Sequence, residues 1–156
     1  MKIWDRLRPE QIFLNVDLRN KEDVLRFVAD TFERRGVVKS ADKLYAGMQS
    51  REAVLSTGIG NGIGIPHASS VEVEGGAMLL IRLATPIEFE SLDALPVDIV
   101  LALVVAAEET TLHLQILAGI ARLCRDPRFL PLIREATDSY TLLNNIKELE
   151  EEMAFH

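Results

Sequence analysis

Apolar and polar positions along this chain follow two periods, and the switches between them divide it into elements. Ile12, Leu14, Val16 and Leu18 alternate with Phe13, Asn15, Asp17 and Arg19, a period-two pattern that predicts a short strand. Asn20 then stands as a helix N-cap, with Glu22 and Asp23 where a first turn favours negative charge. Val24, Leu25, Phe27, Val28 and Phe32 form a helical stripe that Gly36 stops. Ser40 caps a second helix, predicted to run to about Leu55.

From Ser56 to His67 the chain reads STGIGNGIGIPH. Glycines at alternate positions permit positive φ and close backbone approach, so this stretch predicts a loop leading into a short strand. Gly75-Gly76 turns the chain into a buried strand over Met78–Leu83, which Thr85-Pro86 is expected to end. A second buried strand, Asp98–Ala106, follows Pro96. Glu108-Glu-Thr-Thr111 opens a helix to about Arg125 with Leu112, Ile116, Ile120 and Leu123 on one stripe. Asp126-Pro127 reads as an N-cap and first-position proline for a short helix, 128–136. Asp138 caps a last helix that runs into Glu148–Glu152. This order predicts a single α/β domain with a mixed β-sheet flanked by helices on both faces.

The 156 residues suit one domain, and 48% hydrophobic with 26% charged is a globular balance. A net charge of −7 is unsuited to nucleic-acid binding, which needs clustered Lys and Arg. One cysteine excludes an internal disulfide and a Cys-rich zinc cluster. The charged opening segment is not expected to act as a signal peptide, and the longest apolar run, Ile99–Ala107, is too short for a membrane span. A cytoplasmic protein is expected, reaching membranes only through partners.

Three histidines are present. His156 is terminal and is assigned no role. His67, at the end of the glycine-rich stretch, serves either a turn or chemistry: a neutral imidazole is a competent nucleophile near pH 7. The N–H groups of Gly58 to Gly64 offer a nest for phosphate oxygens. His113 falls in the first turn of a helix, where partial positive charge favours an anion; it is equally a surface residue. Arg51 is a guanidinium fork suited to phosphate or an ordinary helix arginine, and Asn61 is by default a turn residue. A metal hydrolase built on His67 and His113 has little support, since no H-E-x-x-H spacing exists.

The segment Arg51-Glu-Ala-Val-Leu-Ser-Thr-Gly-Ile-Gly-Asn-Gly-Ile-Gly-Ile-Pro-His67 closely resembles the phosphorylation-site signature of bacterial phosphotransferase-system IIA domains of the fructose/mannitol class, a class that includes the nitrogen-regulatory IIA proteins. His113–Phe129 is similar to the family's second histidine helix, and Leu7–Ile12 with Lys21–Leu25 is similar to its opening. The resemblance implies a phosphocarrier, a protein-histidine phosphotransferase component. His67 would be the phosphorylated nucleophile, His113 would support the phosphate, Arg51 would offset its charge, and Asn61 would occupy an active-site loop. HPr or an HPr-like protein is the implied donor; the implied acceptor is a IIB domain, or the output is binding to a regulatory target protein. Neither a cofactor nor a metal is expected. The length accommodates a IIA unit alone, which leans towards the regulatory alternative. Gly64 stands where the family commonly has alanine, a change expected only to loosen the loop.

Overall fold

A computed structural model describes residues 2–154; His156 lies outside the described residues. After short 3-10 turns at Trp4–Arg6 and Pro9–Gln11, the chain forms β1 (Ile12–Val16), α1 (Lys21–Arg34) and α2 (Ala41–Val54). Short strands β2 (Gly58–Gly60), β3 (Ile63–Gly64) and β4 (His67–Ser70) precede two long ones, β5 (Gly76–Ile87) and β6 (Val97–Ala106). Three helices close the fold: α3 (Thr110–Arg125), α4 (Phe129–Glu135) and α5 (Ser139–Met153).

Three of the four predicted N-caps form. The side chains of Asn20, Ser40 and Asp138 accept the backbone N–H groups of Asp23 at 2.8 Å, Lys43 at 3.2 Å and Thr141 at 2.8 Å, each satisfying a donor with no intrahelical partner. The sheet is mixed, in the order β1-β5-β6-β3-β2, with β4 pairing β6 beyond β3. β1 runs parallel to β5, β5 antiparallel to β6, and β3 and β4 parallel to β6.

Alternation along the two long strands builds two cores. Met78, Leu80, Ile99, Leu101, Leu103 and Val105 face α3–α5 with Ile116, Ile120 and Leu123. Leu79, Ile81, Leu83, Val100, Ala102 and Val104 face α1 and α2 with Val24, Val28 and Phe32. Side chains on both faces of β6 are buried, which is why its sequence reads as a continuous apolar run. The expected mixed sheet with helices on both faces is the architecture found.

Several local expectations are overturned. The glycine-rich stretch is no loop: β2 and β3 make a hairpin, and β3 with β4 continues along one edge of β6. The turn takes positive φ at Gly60, Asn61 and Gly62. Glycine disfavours strands by propensity, but here the buried Ile63 anchors β3 against β6, while Ile59 of β2 is exposed. β5 passes through Thr85-Pro86 to Ile87, its register to β6 shifting between Arg82 and Ile87; an irregular stretch tolerates a residue with no N–H to donate. Asp126 and Pro127 precede α4 rather than starting it. The Asp126 carboxylate accepts Arg128 N–H at 2.9 Å, and Arg128 is the N-cap.

Gly64 does not loosen anything. A Cβ there would stand 3.0 to 3.3 Å from the ring of the fully buried Phe89. The glycine lets that ring pack directly on the backbone of β3.

Candidate functional site

His67 is the first residue of β4, in register with Leu103 of β6. Just before it, the Pro66 carbonyl accepts the N–H of Leu103 at 3.0 Å. Pro66 has no N–H, so the edge ladder breaks there and His67 resumes it. Nδ1 of His67 lies 2.7 Å from the carbonyl oxygen of Ile65. A carbonyl only accepts, so Nδ1 carries the proton and Nε2 keeps its lone pair. That tautomer presents Nε2 as a nucleophile.

The His67 side chain shares the sheet face of Leu103, which α3 covers. His113, in the first turn of α3, brings its ring to 5.2 Å from that of His67, with the planes at 89°. α3 has no side-chain cap at its N-terminus, so its first N–H groups keep their positive potential for an anion. Glu108 and Glu109 are exposed and supply no cap. On the opposite face α2 crosses β4, where a Cβ on Gly47 would sit 3.8 Å from Cβ of Ala68. One helical turn further, Arg51 acts electrostatically on both rings. Its guanidinium rests on the Leu55 carbonyl at 2.7 Å.

Charge at the site is tuned by burial first. Desolvation lowers the pKa of His67; the hydrogen bond to Ile65 pulls it back up, Arg51 lowers it and Glu52 raises it. His113 is lowered by burial, then by His67 and Arg51. Both rings are therefore neutral at pH 7, the form a nucleophile needs.

Residues 6–149 match the family described as phosphoenolpyruvate-dependent sugar phosphotransferase system, EIIA 2. The chain belongs to that family. It is 33% identical over 143 residues to a nitrogen regulatory protein of Bradyrhizobium diazoefficiens, covering 91% of this chain and 92% of that one. It is 28% identical to a multiphosphoryl transfer protein of Shigella flexneri, over 94% of this chain. Against that longer relative the chain spans only 17% of the length. In fold it is similar to nitrogen regulatory protein IIA-Ntr of Neisseria meningitidis, with a TM-score of 0.85, 23% identity and coverage of 92% and 98% of the two chains. It is also similar to IIA mannitol of Escherichia coli, at 0.70, 23% identity and 88% and 98% coverage.

This IIA-family chain thus brings His67, His113 and Arg51 together and leaves Asn61 elsewhere. Asn61 is at the tip of the β2–β3 hairpin, where Asp93 accepts its N–H at 3.0 Å and Arg134 donates to its carbonyl at 2.7 Å. The neighbouring Gly62 carbonyl accepts from Asp98, whereas His67 is level with Leu103. That is roughly five residues along β6, about 16 Å at a strand rise of ~3.3 Å per residue. Of the glycine N–H groups expected to cradle a phosphate, that of Gly58 donates instead to Ser56 Oγ, and the run from Gly58 to Gly64 is paired as the β2–β3 hairpin.

Two buried charges that the sequence reading passed over lie behind the site. Lys21 Nζ is 2.7 Å from Glu52 Oε2, with side chains 10% and 6% exposed. Glu52 also accepts the N–H of Thr57 at 3.1 Å and its hydroxyl. Lys21 occupies the first position of α1, where the helix dipole disfavours a cation; that mismatch was the available signal. Among the described residues, no three His, Cys, Asp or Glu side chains converge as a metal site requires.

Proposed function

We propose that this chain accepts a phosphoryl group on Nε2 of His67 from a phosphohistidine of HPr or an HPr-like protein. It then passes the group to a IIB domain or signals by its phosphorylation state. The observation that carries the reading is the tautomer-fixed His67 ring, set edge-on to His113 at 5.2 Å. The donor's P–N bond breaks as the Nε2–P bond forms, and the donor imidazole leaves with the electron pair. Nδ1–H stays on His67, donating to Ile65. His113, Arg51 and the uncapped start of α3 offset the charge on the transferring group.

The surroundings suit a protein partner. Val54 and Leu55 beyond Arg51, Val71 after β4, and Leu114 beside His113 are 81%, 55%, 92% and 63% exposed. Apolar side chains of this size left open around reactive groups favour docking over a small-molecule cleft. No described helix is long and apolar enough to cross a membrane, and cytoplasmic partners would reach the site directly.

A regulatory output is the second reading. It is favoured because the nitrogen regulatory relative matches along almost all of its length, while the multiphosphoryl transfer protein matches over a fraction. The test is intact-mass spectrometry at neutral to alkaline pH after incubation with phosphoenolpyruvate, Enzyme I and HPr of either the general or the nitrogen type. One added phosphoryl group, lost in His67→Ala and still detectable in His113→Ala, is expected. No group on the wild-type chain with either donor overturns the reading. A pull-down comparing wild-type and His67→Ala chains then separates the outputs: a target outside sugar uptake that tells the two phosphorylation states apart marks regulation.

A further inference from the structure

Behind His67 runs an unbroken chain of contacts that starts at a buried charge. Lys21 Nζ holds Glu52 at 2.7 Å, and it also lies 4.8 Å from the centre of the Phe89 ring. Glu52 takes both the N–H and the hydroxyl of Thr57. The Thr57 carbonyl accepts the N–H of Ile65 at 3.0 Å. The Ile65 carbonyl in turn holds Nδ1 of His67 at 2.7 Å. Every link from α1 to the reactive ring is thus a hydrogen bond or ion pair between named atoms.

We propose that Lys21, Glu52 and Thr57 are positioning residues that fix the orientation and tautomer of His67 through Ile65. This rests on the reading of His67 as the phosphoryl acceptor. Buried ion pairs contribute little net stability, because desolvation offsets their attraction. A pair retained here needs another reason, and its hold on Thr57, which in turn holds Ile65, supplies one. The relay presents the Ile65 carbonyl at a fixed point. A ring free to turn or to carry its proton on Nε2 would offer no lone pair to phosphorus. Glu52 also contributes a negative charge that favours a positive ring, opposing Arg51. The charged groups facing His67 are therefore Arg51, Glu52 and, when protonated, His113.

Four variants test this: Glu52→Gln, Thr57→Val, Lys21→Met, and Lys21→Met with Glu52→Gln, which leaves no unpaired buried charge. Ring-nitrogen NMR of His67 in the unphosphorylated protein reads tautomer and pKa without any transfer reaction. In Glu52→Gln and the double variant, the pKa of His67 falls and the Nε2–H tautomer gains population. The turnover number for phosphorylation by phospho-HPr falls roughly ten- to a hundredfold, as expected for a misplaced reacting group. The KM for the donor stays near wild type, since the docking surface is untouched. Thr57→Val keeps both charges, so it lowers turnover with little change in ring pKa.

Wild-type tautomer, pKa and turnover in folded Glu52→Gln and in the double variant overturn the proposal. If the wild-type chain is never phosphorylated, the parent reading fails. The tautomer and titration arms still decide this one: an unshifted ring in both variants overturns the relay, and a shifted ring supports it.

Discussion

Replacing Gly64 with alanine sets two effects of known sign against each other. Gly64 is not among the glycines with positive φ, so alanine fits its backbone, and restricting the unfolded chain should stabilise by about 0.4–1 kcal/mol. The new Cβ, however, meets Cε1, Cζ and Cδ1 of Phe89 at 3.0, 3.2 and 3.3 Å. Carbon pairs prefer about 3.5–4.0 Å, so the ring must retreat by several tenths of an ångström. It has little room, being fully buried with Lys21 above it. Overpacking of this kind costs about 1–3 kcal/mol, so the clash wins by about 1 kcal/mol. With a urea slope of ~2 kcal/mol per molar, the unfolding midpoint should drop by ~0.5 M. The control is Gly64→Ala in a Phe89→Leu background, where the smaller side chain leaves space and alanine should become neutral or stabilising. An unchanged or raised midpoint in the wild-type background refutes the argument.

Acceptance of phosphate by His67 should persist as pH falls through about 6.5, the ordinary histidine value, and be lost only below it, because burial lowers the ring's pKa; initial phosphorylation rates against pH check this. The same depressed pKa means that the unfolded chain binds the proton first, so this group's contribution to stability declines as pH drops from the unfolded value towards the folded one. His67→Ala should raise the pKa of His113, removing part of its burial and the neighbouring ring, as an NMR titration would show. The Cys124 thiol, pushed up to about 11 by burial, should resist alkylation at pH 7.5 in the folded state and react on unfolding. Glu150→Gln should destabilise by about 1–3 kcal/mol, because this buried carboxylate takes the N–H groups of Ile3 at 2.9 Å and Trp4 at 2.7 Å; denaturant titration reads the loss.

Elements whose boundaries are written locally were legible in the chain itself. Asn20, Ser40 and Asp138 mark helix starts because a short polar side chain there meets a free N–H a few residues on. The α1 stripe and the continuous run of β6 follow from one buried face and from two. His67, His113 and Arg51 were approached through a motif, and the fold brings them together. Asn61 was misjudged because proximity along the chain suggested proximity in space, while an extended hairpin carries it away along β6. The hairpin itself was obscured by glycine, whose weak strand preference says nothing about sheet contacts made by Ile63 and Ile65. Gly64 looked permissive because the ring that needs its missing Cβ comes from Phe89, 25 residues later in the chain and just past the end of β5. Lys21 and Glu52 were unreadable as a pair, since they lie on different helices.

Both site histidines hang from one strand. His67 is clamped in register to β6, and α3, which carries His113, begins four residues after β6 ends, at Thr110 after Ala106. With β6 buried along both faces, adding a phosphoryl group has no hinge to move. Under the proposed phosphorylation of His67, a reader of that state would therefore sense charge rather than shape. That charge is about −1.5 to −2 on typical phosphoresidue values, and at physiological ionic strength it is screened within about 8 Å. Discrimination between the two states is confined to groups that dock directly over the ring, and it should weaken steadily as salt is added.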